Sequence, residues 1–389
     1  MLTFAIALTI SFGLTPPVRR LALHVGMVDQ PNARKLHQRP MPLLGGVAIY
    51  WGTVVAVMFS LDGQPRGQIF GILAGATLLL ATGTLDDRGL LHHQIKLFVA
   101  MPLSAATLVA LGVRFHIASD LLPVSRRAGA ILDVALTLLW VVGVTAAFSI
   151  LDHMDGLASG VAAIASFYFA LLALLNGQVL VASLGAAVFG GSLGFLRWNF
   201  KPAKIFMGDG GAMFLGFMVA TLGLKLRLAG TPQSIAWMVP PLVLGVPIFD
   251  TTLVTVSRLR RGLLPFASPG KDHTAHRLAN LRLGERGAVL VIYGAGLFLG
   301  GLAVVVSRLS LPRPAMFGAA LALTGLACVA LFENLPYERQ RRKPALAPDR
   351  EHSRVFGNRA GETGKGTSGE SVRNFLSMPF AFPQLLRLP

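Results

Sequence analysis

Long apolar runs alternate with short polar stretches along the whole chain, and the runs set its architecture. A membrane-crossing helix needs about 20 mostly apolar residues, and about eleven such runs can be counted. They cover roughly residues 1–15, 43–61, 68–84, 96–113, 129–148, 157–175, 179–196, 205–224, 234–256, 288–307 and 314–332. The expected fold class is all-α: a polytopic integral membrane helical bundle over residues 1–332. From Glu333 to Pro389 the chain turns polar, basic and rich in Gly, Ser and Pro, the composition of a disordered tail. The first run is short, and Thr15-Pro16-Pro17 is expected to end it. No small-residue cleavage site follows it, which argues against a secretory signal.

Composition agrees with lipid as the main solvent. Charged residues make up 14% and hydrophobic ones 53% of the 389 residues, where a soluble domain carries about 25% charged. The single cysteine, Cys328, excludes an intrachain disulfide. A net charge of +17 would suit nucleic acid, but no nucleic-acid module accompanies it. Membrane topology explains it better. Most Lys and Arg fall on the loops after the odd-numbered runs and on the tail. This places those loops and the C-terminus in the cytoplasm and the N-terminus outside. The membrane-facing partners are then lipids, with no role for nucleic acid.

The candidate chemistry lies on that same side. Asp86, Asp87, Asp152, Asp155, Asp209, His273 and His276 all sit on the cytoplasmic loops or the run ends beside them, as do all His residues except His116. A transporter would instead be expected to place ionisable groups near the midplane. In the first loop, Arg34, Lys35 and His37 lie between Asp29 and Gly45-Gly46 and could bind phosphate or simply anchor the chain. Adjacent Asp86 and Asp87 repel unless a cation or proton lies between them. They suit a magnesium or general-base site, or a helix cap, with Lys96 as countercharge. Asp152 and Asp155 share a face if their segment is helical. Asp209 lies just inside an apolar run among Gly208, Gly210 and Gly211, where a metal or phosphate would neutralise it and the glycines would let a ligand approach. Asp250 carries a similar cost and is expected to be paired within the bundle. His273 and His276 lack the thiolate or Glu-rich partners of a zinc site. With Lys271 and Arg277 beside them they read as an anion site.

Taken in order over about residues 25–285, these segments resemble the polyprenyl-phosphate N-acetylhexosamine-1-phosphate transferases, which include the phospho-MurNAc-pentapeptide translocase. The carrying motifs are Asp29 to Gly46, the pair Asp86-Asp87, Asp152 to Leu157, Asn199 to Gly211, and His273 with His276. The resemblance implies a bacterial inner-membrane enzyme with its active site on the cytoplasmic face. Its reaction would be attack of a polyprenyl phosphate on a UDP-N-acetylhexosamine, most simply UDP-N-acetylglucosamine, releasing UMP. It implies magnesium, with manganese as the alternative, held by Asp209 and Asp152. Asp86, Asp87, Asp152 and Asp155 would form the catalytic group. Arg34, Lys35, His37, Lys96, Asn199, His273, His276 and Arg277 would bind substrate. A homodimer is compatible with the family. Four positions depart from its pattern. Ala146 and Ser149 replace two asparagines, His153 stands where Gly or Asn is usual, and Ala275 replaces a histidine. These changes are expected to bear on sugar specificity.

Overall fold

The computed structural model describes residues 1–30, 40–60, 66–91, 93–264, 270–309 and 313–335. Arg34, Lys35, His37 and nearly all of the expected tail lie outside the described residues. Helices make up 78% of the described residues. Its elements are α1 (Leu2–His24), a two-stranded antiparallel pair β1 (Val28–Asp29) and β2 (Met41–Pro42), α2 (Gly45–Met58) and α3 (Arg66–Asp87). Next, α4 (His93–Ile95) widens through a π turn, Lys96–Ala100, into α5 (Met101–Ala110). Then come α6 (Ile117–Leu121), α7 (Arg126–Leu151), α8 (Leu157–Leu175), α9 (Val179–Asn199) and α10 (Gly208–Lys225). The last third holds α11 (Gln233–Ala236), α12 (Val239–Val243), α13 (Gly245–Arg260), α14 (Thr274–Leu278), α15 (Gly284–Val306) and α16 (Pro314–Glu333).

Every apolar run carries a helix, and the chain is a polytopic all-α membrane protein. Among the described residues, seven helices are long and apolar enough to cross a membrane, eight if α11–α12 and α13 count as one bent span. The expected count of about eleven is not reached on length and composition. α2 and the Lys96–Ala110 segment are short, and α10 has Asp209 and Lys225 near its ends.

Three local expectations change. The first helix does not stop at Thr15 but runs to His24 through Pro16 and Pro17. Pro16 has no N–H for the carbonyl of Phe12, and the indole N–H of Trp198 donates to that oxygen at 3.0 Å instead. The ninth run is broken, with a 73° bend at Leu244. Pro247 removes the donor that would have bonded to Val243 across the break. The first loop holds a short β pair, Val28 opposite Pro42, which apolar periodicity does not announce.

α10 is the centre of the bundle. It packs against α2, α3, α7, α8 and α9, and between Gly210 and Leu224 every residue is buried. Small residues let these helices approach closely. A Cβ on Gly83 of α3 would overlap the backbone of Gly210, and one on Gly46 of α2 would overlap Gly211. The glycines around Asp209 are thus used for helix contact rather than ligand approach. Gly83→Val is expected to destabilise the protein by roughly 1–3 kcal/mol, the usual cost of overpacking. Gly143→Ala, on α7 with open space beside it, is expected to leave the unfolding temperature in detergent unchanged.

Candidate active site

The centre of the site is the first turn of α10. A helix N-terminus presents N–H groups without intrahelical partners and favours negative charge. No side chain at its own N-cap, Met207, fills that need. Asp87, at the last turn of α3, does so from the neighbouring helix. Its Oδ1 accepts from the Asp209 N–H at 3.0 Å and its Oδ2 from Gly210 N–H at 3.5 Å. Gly208 has φ +74°, and a Cβ there would overlap the Asp87 carboxylate. Glycine is therefore required on both conformational and steric grounds.

Three further charged groups converge on this turn. Lys96 donates to Asp86 Oδ2 at 2.7 Å and also pairs with Asp209 Oδ2. Asp152, the C-cap of α7, faces the same carboxylates. Burial, with the charges of Asp209, Asp87 and then Asp155, pushes its carboxyl up to about 8. This all-oxygen donor set suits a hard divalent ion such as magnesium, which typically takes one or two carboxylates and keeps water or phosphate on its other positions. The shift at Asp152 reflects its burial first and the neighbouring carboxylates second.

The turn from Asp152 to Gly156 is not helical, so Asp152 and Asp155 do not share a helix face as their spacing suggested. Asp155 instead accepts from the N–H of Ala203 at 3.0 Å, tying this turn to the loop before α10. Asn199 strengthens the same joint. Its Oδ1 accepts from Gly156 N–H at 3.1 Å and Ser159 Oγ at 2.9 Å, and its Nδ2 donates to Ile205 O at 3.0 Å. At 2% exposure, Asn199 fixes the wall of the site rather than facing a ligand. Tyr293, which the sequence did not single out, donates from its hydroxyl to Gly156 O at 2.5 Å.

The histidine segment divides. His273 pairs with Asp250 at 2.9 Å, the bundle partner expected for that aspartate. His276 is half-buried. Arg277 points elsewhere and is fully buried. Its guanidinium donates to the carbonyls of Asp272, Phe332, Glu333 and Leu335, to Ser257 Oγ and to the Glu333 carboxylate. It closes the C-terminal end of α16, where the free carbonyls need donors, and does not face the carboxylates. Nearby, Arg258 and Arg261 grip Asp272. Against the upward push of burial, they hold its carboxyl below the usual carboxylate range.

The glycosyl transferase family 4 profile matches residues 69–227. A relative from Bacillus subtilis, named probable undecaprenyl-phosphate N-acetylglucosaminyl 1-phosphate transferase, is 37% identical over 79% of this chain and 84% of its own length. The chain belongs to glycosyl transferase family 4. A Mycobacterium tuberculosis relative, decaprenyl-phosphate N-acetylglucosaminephosphotransferase, is 34% identical over 74% of this chain and 77% of its own. The Yersinia pestis undecaprenyl-phosphate alpha-N-acetylglucosaminyl 1-phosphate transferase is 27% identical over 75% of this chain and 80% of its own. The profile of this family 4 member takes in Asp86, Asp87, Lys96, Asp152, Asp155, Asn199 and Asp209, and stops short of the histidine segment.

Two outcomes follow for this family 4 protein. Between the ordinary Asp value of 3.8 and the folded value of about 8, the unfolded chain binds fewer protons than the folded one. Folding stability in EDTA should therefore fall as pH rises through that window. Added magnesium should raise the unfolding temperature more at pH 8 than at pH 6, and Asp152→Asn should flatten this difference. Arg277→Ala should cost roughly 3–5 kcal/mol, because it strips a buried pair of one partner; denaturant unfolding in detergent measures it.

Proposed function

We propose that this protein transfers N-acetylglucosamine 1-phosphate from UDP-N-acetylglucosamine to a polyprenyl phosphate of the undecaprenyl class. An oxygen of the lipid phosphate attacks the β-phosphorus of the nucleotide sugar. A new P–O–P linkage forms, the bond to the α-phosphate oxygen breaks, and UMP leaves. The product is a polyprenyl diphospho-sugar, the start of a cell-envelope polysaccharide. The observation that carries this reading is the meeting of Asp86, Asp87, Asp152, Asp209 and Lys96 at the N-terminal turn of α10, in a chain whose relatives bear that transferase name.

Asp209 and Asp152 would hold the ion, magnesium or in its place manganese. When bound, it supplies Lewis-acid neutralisation of the diphosphate. The chain's own groups divide the remaining work. Asp87 spends both oxygens on the amides of α10 and thereby fixes the direction of Asp209. Asp86, held against Lys96 at 2.7 Å, is the carboxylate we assign to orienting the lipid phosphate. The Lys96 ammonium can swing from carboxylate to phosphate and offset the charge brought in by substrate. Asp155 keeps the nucleotide side of the cleft in shape through Ala203. His276 is the histidine we assign to the diphosphate, with Arg34, Lys35 and His37 on the first loop as further phosphate ligands. Arg277 and Asn199 we assign to the framework.

The topology we adopt keeps all eleven helical runs as crossings. α2 and α10 lie largely inside the bundle, where partner helices rather than lipid set the length a helix needs, and the α5 segment turns Phe98, Val99 and Leu103 outward, as a lipid-facing helix would. This puts the carboxylates and the tail on the cytoplasmic side of the inner membrane.

Purified protein with UDP-N-acetylglucosamine, undecaprenyl phosphate and magnesium should release UMP, and EDTA should abolish release. Asp209→Asn should lower kcat by roughly a hundredfold or more, the scale of losing a principal electrostatic stabiliser. No release across a panel of UDP-sugars would refute the transferase, and full activity of Asp209→Asn would refute the metal assignment. A cysteine placed at residue 155 should be labelled only from the cytoplasmic side.

A further inference from the structure

Beside the carboxylates lies a second group of donors, drawn from three separate segments. His153 comes from the turn between α7 and α8, Asp250 from α13, and His273 from the residue preceding α14. One ligand atom from each lies within 4.8 Å of the others. Asp250 and His273 are buried, at 2% and 4% exposure. The Asp250 carboxylate is fixed at both oxygens, Oδ2 by His273 Nδ1 at 2.9 Å and Oδ1 by the Thr274 N–H at 2.7 Å. The His153 ring stacks on that of His273 with centroids 4.0 Å apart.

Among the ring nitrogens of this group, Nε2 of His153 is buried and has no hydrogen-bond partner among the described residues. A buried polar atom of this kind needs an account. The other nitrogen, Nδ1, lies 3.2 Å from the carbonyl oxygen of Ile150. A carbonyl only accepts, so the proton sits on Nδ1 and Nε2 presents a bare lone pair. A bare lone pair takes a cation or a hydrogen-bond donor, and it repels an anionic phosphate oxygen.

A second imidazole and a carboxylate stand next to it, and imidazole with carboxylate is a zinc donor set. We infer that His153, His273 and Asp250 form a zinc-binding site, distinct from the all-oxygen carboxylate group that we assign to magnesium. Tetrahedral zinc with bonds of about 2.0–2.1 Å sets its ligands about 3.3 Å apart. Donors already within 4.8 Å reach that spacing once the stacked His153 ring turns so that its lone pair points at the ion. Binding replaces the proton shared by His273 and Asp250 and releases it to solvent. The ion would join the α7–α8 turn to α13 and to the segment before α14. It would thereby fix the turn that also carries Asp152. His276, whose ring centroid is 5.0 Å from that of His153, stays outside the three-ligand set.

Equilibrium dialysis of the purified full chain in detergent tests the site. The probe is zinc sulfate at micromolar concentration with magnesium in large excess, and bound metal is counted by mass spectrometry. About one zinc ion per chain is expected. His153→Asn, a residue type that the family pattern accepts at this position, and Asp250→Asn should each weaken zinc binding by more than about tenfold. Asp209→Asn should leave it unchanged. The metal-free unfolding temperature of His153→Asn should equal that of the parent, which separates ligand loss from misfolding. Failure to bind zinc at this stoichiometry, or retention of parental affinity by a folded His153→Asn, overturns the site. The readout needs no transferase turnover, so it stands or falls apart from the reaction proposed above.

Discussion

The contact between the Asp87 carboxylate and the first amides of α10 joins the packing of the bundle to the chemistry at its polar face. α10 is buried along nearly its whole length, so its N-terminal N–H groups cannot turn to water. Buried donors without partners cost about 1–3 kcal/mol each. Asp87 removes that cost and brings a negative charge to the positive end of the helix. It can reach only because α3 and α10 cross at glycines, Gly83 against Gly210. A larger residue in this seam would move the carboxylate away from the amides and Asp209 away from Lys96.

That arrangement concentrates negative charge in a small volume. Asp86, Asp87, Asp152 and Asp209 come together here, and Lys96 pairs with the first and last of them. Burial, and then the charges of Asp209, Asp87 and Asp155, raise the Asp152 carboxyl to about 8. A cluster built for stability alone would pair these groups more fully. A cluster that receives a divalent ion and a diphosphate must keep part of its charge uncompensated until they arrive. The carboxylates sit at the helix ends of α3, α7 and α10, and Asn199 and Asp155 tie the α7–α8 turn to the segment before α10.

Much of this was legible in the sequence. Apolar runs located the long helices, the cost of burying Asp in such a run marked Asp209, and placement on one side of the membrane grouped it with Asp86, Asp87 and Asp152. Sequence spacing does not reveal where side chains point once partners come from distant segments. Asn199 lies inside a family motif, yet all its polar atoms serve the chain. His276 and Arg277 are neighbours, but successive helical residues diverge by about 100°, so one faces the cleft side and the other grips the end of α16. The continuation of α1 through Pro16 depends on Trp198, far along the chain, whose indole replaces the missing donor. Nor could spacing show that Gly210 and Gly211 meet other glycines rather than a ligand.

The α7–α8 turn shows how a departure from family pattern can carry physical content. Asp152 and His153 are adjacent and point to different groups, the carboxylate towards Asp209 and the imidazole onto His273. Any movement of one is felt by the other, because the turn is fixed at Gly156 by Asn199 and Tyr293. Replacing the usual small or amide residue by histidine therefore adds a mechanical link between the carboxylate cluster and the histidine segment. The missing histidine at Ala275 lies on that same segment, in a fully buried position. The two departures thus lie on segments that meet, since the His153 ring lies against His273 and His276, the residues either side of the Thr274-Ala275 pair.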